Sequence, residues 1–271
     1  KKKRKTYKIW KQKNQFKKIF FIIMIVGLIP THLKSKRLPK KALLNLGGLP
    51  MIIHTYRRAK KAKKLDEVYI CTDSSEIIKV CKKFNAKYLK TSSKHKNGTE
   101  RVAEAAKKIK TCKFIIDIQG DEPLVNPNDI DKVVNFHKKN KFFDIIVPFQ
   151  PTIQRNNKNI VKIACTKNRV ISFSRLDVPY SFDKKKLFLK KHLSIISFKP
   201  SALKVFCKKS LGELEKTEGI ELMRALELDL KIGTFKAKGT SFSVDILEDY
   251  FKASKFLKKD KLFKTYKKYY I

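Results

Sequence analysis

The chain has 271 residues, with 65 Lys and Arg against 24 Asp and Glu and a formal net charge of +41. Apolar residues make up 42% of it, which excludes a disordered chain and suits one large domain or a domain with an insertion. Because lysines occur in nearly every predicted element, the charge indicates a compositional bias more than a patch for nucleic acid or for a membrane.

The first 23 residues read as a basic extension in front of the fold. The basic segment KKKRKTYKIWKQKNQFKK precedes the apolar stretch IFFIIMIVGLIP. A basic segment before an apolar one imitates a secretory signal peptide, but no small-residue cleavage site follows. The apolar stretch is also shorter than the roughly 20 residues that span a bilayer. We therefore expect a basic N-terminal extension over residues 1–23 and a buried strand over Met24–Pro30, with Met24 a candidate start of the folded protein.

Short apolar runs then alternate with amphipathic segments of helical length. Strands are predicted at residues 25–29, 68–72, 114–118 and 144–149. Helices are predicted at residues 51–64, 74–84, 99–110 and 127–140. Prolines and Ser or Thr caps mark the starts of these helices. This alternation predicts an α/β fold with a doubly wound, mostly parallel sheet of the Rossmann-like kind.

The second half of the chain has a different order of predicted strands and helices. Two paired strands are predicted within residues 160–175, and a further strand at 187–198. Further elements follow, namely helices at 201–209 and 218–229, a strand at 231–237 and a last helix from about 246. We interpret residues 24–258 as one domain and about 155–215 as a β-rich insertion subdomain that folds back onto the sheet. Residues 259–271 form a basic C-terminal tail, for which a surface helix, a frayed end and nucleic-acid contact are the alternatives.

The cysteines indicate a reducing compartment. Five are present, at Cys71, Cys81, Cys112, Cys165 and Cys207. No two of them form a CxxC pair, and most stand in apolar surroundings. We expect buried, reduced thiols in a cytoplasmic protein.

Polar side chains follow three of the predicted strands, at residues 31–41, 72–75 and 119–123. In doubly wound sheets, ligands bind at the carboxyl ends of strands. The first of these loops contains five Lys or Arg, including Arg37 and Lys41, which suits a nucleoside triphosphate. It is not a Walker loop, and in so basic a chain a solvated loop remains the alternative.

Two acidic segments are candidates for a metal site. In IDIQGDEPLV, Asp121 and Glu122 follow a buried strand, where a carboxylate can hold Mg²⁺ beside substrate phosphates. In SFSVDILEDY, Asp245 stands between a short apolar run and a helix. A simple turn and a helix cap, respectively, are the alternatives. The Asn97-Gly98 pair adds a turn before a helix that Thr99 opens.

Taken together, these segments resemble the CMP-Kdo synthetase family, the 3-deoxy-manno-octulosonate cytidylyltransferases, which are related to acylneuraminate cytidylyltransferases. The family's motifs stand here as IPTHLKSKRLPKKAL (29–43), NGTER (97–101), QGDEP (119–123), FSRLDVPY (173–180), KKHLSII (190–196), LEKTEGIELMRALE (214–227) and VDILEDY (244–250). They keep the family's order and spacing across about residues 25–255.

The resemblance implies a nucleotide-diphospho-sugar transferase-like fold and a specific reaction. The anomeric hydroxyl of 3-deoxy-manno-octulosonate (Kdo) attacks the α-phosphorus of CTP, giving CMP-Kdo and pyrophosphate for lipopolysaccharide biosynthesis, with Mg²⁺ as cofactor. The resemblance also implies a homodimer built through the insertion and a cytoplasmic location. Another eight- or nine-carbon ulosonic acid, such as a modified Kdo or an acylneuraminate, is the alternative substrate, and a catalytically weakened homologue is a further alternative.

The resemblance carries roles over to individual residues. The implied catalytic residues are Arg37, Lys41 and Asp121. The residues implied to bind CTP are His32, Ser35, Arg37, Lys41, Asn97, Gly98, Thr99 and Arg101. The residues implied to face the sugar acid are Gln119, Arg175, His192 and Glu221. The implied metal ligands are Asp121 and Asp245.

The chain departs from the family pattern at several positions. His32 replaces the first Arg of the loop, and Lys40 replaces the Gly before Lys41. Leu222 replaces a Gln of the LEQLR pattern, and HLGIYGY has become HLSIISF. Since the triphosphate and metal positions persist while the sugar side has drifted, CTP-dependent activation of an ulosonic acid is the firmer expectation.

Two other classes of protein compete with this enzyme. A Lys-rich nucleic-acid-binding protein would bind without regard to sequence and lose affinity steeply with salt. A decayed nucleotidyltransferase with a regulatory role would bind CTP, if at all, without turnover. We expect the enzyme, with neither nucleic acid nor a membrane as partner.

Overall fold

The computed structural model describes residues 23–35, 37–109, 111–182 and 188–267. The predicted basic extension therefore lies outside the described residues except for Ile23, and so do residues 268–271 of the predicted tail. Within the described ranges, no helix combines the length and the apolar character that a membrane crossing requires.

Strands and helices alternate along the described chain. The strands are β1 (Met24–Pro30), β2 (Asn45–Leu46), β3 (Leu49–Pro50), β4 (Glu67–Thr72), β5 (Tyr88–Lys90), β6 (Cys112–Ile118), β7 (Ile145–Thr152), β8 (Lys162–Thr166), β9 (Arg169–Ser174), β10 (Leu189–His192), β11 (Ile195–Phe198) and β12 (Ile232–Lys236). The helices are α1 (Met51–Ala59), α2 (Ser75–Lys83), α3 (Gly98–Lys107), α4 (Pro127–Lys139), α5 (Pro200–Lys208), α6 (Glu213–Glu218), α7 (Glu221–Glu227), α8 (Leu247–Lys259) and α9 (Lys261–Lys267). A 3₁₀ turn spans Lys41–Leu43.

Ten of the strands form one sheet, in the order β10-β8-β9-β12-β7-β11-β6-β1-β4-β5. Strands β6, β1, β4 and β5 run parallel, and so do β7 and β12. Strand β11 lies antiparallel between β6 and β7, and β8 to β10 form an antiparallel edge. The α/β class and the parallel strands of the first half are as predicted.

The sheet separates two cores because side chains on each strand alternate between its faces. On β6, Phe114, Ile116 and Ile118 join one core, whereas Ile115 joins the other. Helices α1, α2, α4, α8 and α9 cover the first face. Helices α3, α5 and α7 cover the second. Helices on both faces confirm the doubly wound architecture.

The predicted insertion, about residues 155–215, contributes strands to the main sheet. The single strand predicted at 187–198 is two strands, β10 and β11, and β11 lies in the interior of the sheet. Lys162 on β8 is fully buried, and its Nζ donates to the carbonyl oxygens of Asn157 and Arg175, both at 2.7 Å. The boundaries of a separate subdomain stay a prediction.

The C-terminal helices pack behind the segment that connects β1 to α1. The Tyr250 hydroxyl donates to the Asn45 carbonyl oxygen at 2.6 Å. Phe263 and Tyr266 on α9 are buried, and both rings contact the His54 ring on α1. Of the alternatives for the predicted tail, a helix is therefore present through residue 267, and its apolar side is part of the core.

His54 gives this packing a testable pH dependence. Its Nε2 donates to the Leu46 carbonyl at 2.6 Å, so its Nδ1 accepts from the Tyr266 hydroxyl at 2.9 Å. Burial lowers the pKa of His54 to about 4, so the folded protein binds its proton only below that pH, while the unfolded chain binds it near pH 6.5. The stability that His54 contributes is therefore present above pH 6.5 and lost as the pH falls towards 4.

We expect His54→Gln to destabilise the protein at pH 7.5 by about 2 kcal/mol more than at pH 5, because only the histidine loses stability on acidification. Urea unfolding at the two pH values measures the difference. Phe263→Leu reduces the packing against the His54 ring without removing a titratable group, so it should destabilise the protein equally at both pH values. Equal losses for His54→Gln at both pH values would contradict the expectation.

Candidate active site

A cavity of about 330 Å³ opens at the carboxyl ends of β1, β4 and β6. In the register of these strands, Pro30 pairs with Cys71 and Leu28 with Asp117, so the three end at one edge of the sheet. The cavity is lined by Pro30, Thr31, His32, Lys34, Lys41, Ala42, Met51, Asp73, Ser93, His95, Lys96, Asn97, Gly98, Arg101, Gln119, Gly120 and Asp121. The fold thus brings together all three strand-end loops in which the sequence predicts a ligand site.

Lys41 links two carboxylates that are far apart in sequence, those of Asp121 and Asp245. Its Nζ lies 2.6 Å from Asp121 Oδ2 and 3.0 Å from Asp245 Oδ1. A backbone bond from Val244 N to the Asp121 carbonyl, 2.9 Å long, holds the two acidic segments side by side. Burial alone would lower the pKa of Lys41, but the charges of Asp121 and Asp245 outweigh it and raise that pKa. Lys41 is therefore a fixed cation at the cavity wall.

The rest of the first loop supplies less fixed charge. Arg37 Nη2 lies 3.0 Å from Asp245 Oδ1, with about half of its side chain exposed. His32 lines the cavity, and its Nδ1 accepts from the Lys34 amide at 3.0 Å. Partial burial, and then the charge of Arg101, lower the pKa of His32, so this residue is mostly neutral at pH 7. It does not replace the full charge of the family's arginine.

Within the described ranges, Ser35 and Arg37 are not among the cavity-lining residues.

The backbone at Lys40 has the conformation that the glycine of the family pattern would favour. Its φ is 50° and its ψ 28°, the left-handed region that favours glycine, which is the residue of the family pattern at this position.

The NGTER segment forms the start of α3 on the opposite wall. Asn97 caps this helix, since its Oδ1 accepts from the Glu100 amide at 2.9 Å. A Cβ on Gly98 would lie 3.3 Å from Gln119 Oε1, so a side chain here would press on the cavity wall. The Thr99 hydroxyl turns away from the cavity and donates to Glu221 Oε2 at 2.6 Å. Asn97 and Gly98 are therefore the members of this turn that a ligand can reach.

Arg101 is buried beneath the cavity. Its Nη1 donates to Thr91 Oγ1 at 2.6 Å, and its Nη2 lies 2.9 Å from Asp73 Oδ1. Its guanidinium thus fixes the loop after β4 against α3 and lines the cavity floor. No sequence motif singles out Asp73, although its position directly after a predicted strand is a usable signal.

Of the four residues assigned to the sugar acid, Gln119 lines the cavity. Glu221 is bonded to Thr99, and burial, followed by the charge of Glu215, raises its pKa. Burial also lowers the pKa of His192 to about 4, and its Nε2 has no hydrogen-bond partner within the described chain. The side chains of Glu221 and His192, both half-buried, lie on the same face of the sheet as α3.

Arg175 lies elsewhere in this conformation. Its Nε and Nη2 donate to the carbonyl oxygens of Glu218 and Gly219, at 2.8 and 3.0 Å, where α6 ends. Its Nη1 donates to the Lys158 carbonyl at 2.8 Å. The structure therefore does not bring Arg175 to the cavity, and its role towards the sugar acid stays a prediction. Leu222, the departure at the family's Gln, is buried in the core.

Glu122 has a structural role that its sequence motif does not reveal. Its carboxylate is buried and accepts hydrogen bonds from the hydroxyls of Ser241 and Ser243. Burial raises its pKa. Because Ser243 stands two residues before Asp245, these bonds hold the second acidic segment in place.

The described residues contain no cluster of three or more His, Cys, Asp or Glu side chains that could hold a metal ion. Asp121 and Asp245, however, both contact the single cationic Nζ of Lys41, so one cation can interact with both carboxylates. Mg²⁺ usually takes one or two protein carboxylates and completes its shell with phosphate oxygens and water. This donor set therefore fits Mg²⁺ bound together with a triphosphate.

Comparison with known proteins gives consistent results. A family model described as cytidylyltransferase matches residues 26–232. The 3-deoxy-manno-octulosonate cytidylyltransferase of Thermodesulfovibrio yellowstonii is 35% identical over 245 residues, which cover 84% of this chain and 95% of that protein. The enzyme of the same name from Chloroherpeton thalassium is 33% identical over 243 residues, covering 86% of this chain and 98% of the other.

A solved structure of CMP:2-keto-3-deoxy-manno-octonic acid synthetase, complexed with CTP, has a TM-score of 0.83 and 26% identity. The likeness covers 87% of this chain and 99% of that one. The similarity therefore extends over most of this chain and nearly all of the other.

Proposed function

The chain belongs to the 3-deoxy-manno-octulosonate cytidylyltransferase family, and on that premise we propose that it transfers CMP from CTP to the anomeric hydroxyl of Kdo. The observation that carries this proposal is Lys41 held between Asp121 and Asp245 at the cavity wall. Such an arrangement suits the developing charge of phosphoryl transfer, since it places a fixed cation beside two carboxylates that can hold a metal ion.

The proposed reaction needs no covalent enzyme intermediate. The anomeric oxygen forms a bond to the α-phosphorus of CTP as its hydroxyl proton passes to solvent. The bond between the α-phosphorus and the α–β bridging oxygen breaks, and pyrophosphate leaves with that electron pair. Lys41 and Arg37 offset the negative charge on the triphosphate, and Asp121 and Asp245 would hold Mg²⁺. When bound, Mg²⁺ supplies Lewis-acid stabilisation of the phosphate oxygens.

The nucleotide would lie against the start of α3. Asn97 and Gly98 present a narrow turn there, and Arg101 supports it from below. We assign these residues, with His32, Ser35 and Thr99, to the CTP side of the site. Thr99 acts on it indirectly, because its hydroxyl is bonded to Glu221.

The acceptor side of the site departs further from the family pattern than the nucleotide side. Gln119 lines the cavity, whereas His192 and Glu221 are half-buried and are not among its lining residues, and Arg175 caps α6. We therefore keep another eight- or nine-carbon ulosonic acid as the second candidate acceptor. The reaction type is the same for both.

Pyrophosphate release tests the proposal. The purified chain is incubated with Mg²⁺, CTP and each member of a panel of ulosonic acids, with UTP and ATP in place of CTP as controls. We expect release with CTP and Kdo, weaker release with the other nucleotides, and none after removal of Mg²⁺ with EDTA. CTP binding without release for any acid would instead support a decayed homologue.

We also propose a homodimer and a cytoplasmic location for lipopolysaccharide biosynthesis. Exposed apolar side chains support the dimer, since Ile153, Ile171, Leu176, Tyr180 and Phe182 lie close together in sequence near the antiparallel edge. All five cysteines are free, which suits a reducing compartment. Light scattering of the purified chain tests the dimer directly.

A further inference from the structure

Asp117 is a buried carboxyl group directly behind the cavity wall. It is the sixth residue of β6, two residues before Gln119, and it is fully buried. Its Oδ1 accepts a hydrogen bond from Gln119 Nε2 at 2.8 Å. Its Oδ2 has no hydrogen-bond partner within the described part of the chain. A buried acid with one oxygen used and one unused needs an explanation, because such a group is costly to bury.

The bond from Gln119 fixes which end of its amide points inwards. An amide has a donor nitrogen and an acceptor oxygen. Since Nε2 donates to Asp117 behind the wall, Oε1 is the atom left to face a ligand in the cavity that Gln119 lines. The Gln119 amide packs closely against Gly98, because a Cβ added to Gly98 would lie 3.3 Å from Oε1 and 3.4 Å from Nε2.

The surroundings of Asp117 favour its neutral form. Burial, and then the nearby Glu221 carboxyl, raise its pKa well above the usual range. Leu28 and Ile196, its neighbours across the sheet, are both buried and apolar. A neutral carboxylic acid still accepts at its carbonyl oxygen, and asparagine has the same shape and the same acceptor.

We infer that Asp117 is a positioning residue that holds the Gln119 amide with its carbonyl oxygen towards the acceptor sugar, where it accepts a hydrogen bond from a sugar hydroxyl. This inference rests on the proposed function and deepens it. It adds that the acceptor sugar presents a hydroxyl donor at this position. If the Gln119 amide could rotate by 180°, it would present its N–H donors to the same hydroxyl, and Oε1 would no longer be held as the acceptor.

The test compares Asp117→Asn, Asp117→Leu and Ser197→Ala in steady-state assays. The sugar acid is first varied at saturating CTP, and CTP is then varied at saturating sugar acid. We expect Asp117→Asn to stay within about threefold of wild type, because its carbonyl accepts the same bond. Asp117→Leu should lower kcat/KM for the sugar acid about 30-fold, with the KM for CTP nearly unchanged. Leucine removes the unpaired acid without burying a new polar group, so this variant keeps the fold.

Ser197→Ala is the matched control. Ser197 is a fully buried polar residue on the neighbouring strand β11, and its hydroxyl bonds His137 on the opposite face of the sheet. Its loss should leave the KM for both substrates unchanged. A double-mutant cycle adds a readout that simple destabilisation would not give. In a Gln119→Leu background, Asp117→Leu should cause no further loss, because Asp117 acts through Gln119.

Several results would overturn the inference. These are an Asp117→Asn variant as impaired as Asp117→Leu, an Asp117→Leu variant as active as wild type, or full additivity in the cycle. A wild-type chain inactive with every acid would overturn the proposed function together with this inference. An active wild type with an unaffected Asp117→Leu would overturn the inference alone.

Discussion

The Asp121→Asn variant is expected to release pyrophosphate on the order of a thousandfold more slowly than wild type, because it loses one of two carboxylates available to Mg²⁺. Asparagine keeps the shape of the side chain and removes its charge. The fold should be little affected, because the Asp121 side chain lies at the cavity wall, 22% exposed, and the Val244 amide bonds its backbone carbonyl. Turnover at saturating CTP and Mg²⁺, with a thermal melt of the same sample, measures both effects.

Glu248→Gln is the control for Asp121→Asn. Glu248 is exposed in the first turn of α8, three residues after Asp245, so the substitution removes one nearby negative charge that is not a metal ligand. Its turnover should match that of wild type. Near-normal turnover in Asp121→Asn would remove Asp121 from the metal site, and a large drop in its melting temperature would indicate a structural role instead.

Lys41→Met is expected to lower turnover by a similar factor, on the order of a thousandfold, since it removes the cation that contacts both carboxylates of the site. Methionine retains most of the length and apolar volume of lysine. The loss should be found in kcat as well as in the KM for CTP, because charge develops on the phosphates during transfer. Initial rates over a range of CTP concentrations separate the two constants.

Lys40→Met provides the comparison for Lys41→Met. Lys40 is the preceding residue of the same loop, carries the same charge and pairs with Glu76 in an exposed ion pair. Exposed pairs of this kind contribute little, and methionine at a positive φ is no more strained than lysine. A loss of turnover in Lys40→Met as large as in Lys41→Met would show that general positive charge, and not a positioned cation, supports the reaction.

The sequence is most informative where strands end. Buried parallel strands read as short apolar runs, and their carboxyl ends must meet at one edge. That rule predicts that the loop of residues 31–41 and the segment of Asp121 lie at one edge, whereas the family motif is what singles out Lys41 among the cations of the loop. The pairing of Asp121 with Asp245 is less accessible to sequence reasoning, because it depends on how the last third of the chain returns to the sheet. The pairing of Asp245 with Asp121 is therefore predicted by the resemblance to the family and not by the spacing of the residues.

Sequence reasoning misses polar residues whose surroundings only tertiary packing creates. Lys162 stands in an ordinary strand pattern, yet three carbonyl or carboxylate groups surround its buried ammonium. Asp117 is, by its pattern, one more polar residue before a turn. Arg175 has the family's motif around it, but its guanidinium bonds helix-end carbonyl oxygens. Propensity and periodicity contain no information about such partners.

The C-terminal helices set the order in which the site is completed during synthesis. Asp245 lies 204 residues after Lys41, and helices α8 and α9 follow it. Tyr250 on α8 bonds Asn45, and Tyr266 on α9 bonds His54, which in turn bonds Leu46. A nascent chain on the ribosome can pair the early parallel strands as they emerge. The proposed metal site, however, has only one of its two carboxylates until the segment carrying Asp245 has left the exit tunnel. We therefore expect the pair of Asp121 and Asp245 to be completed only late in translation.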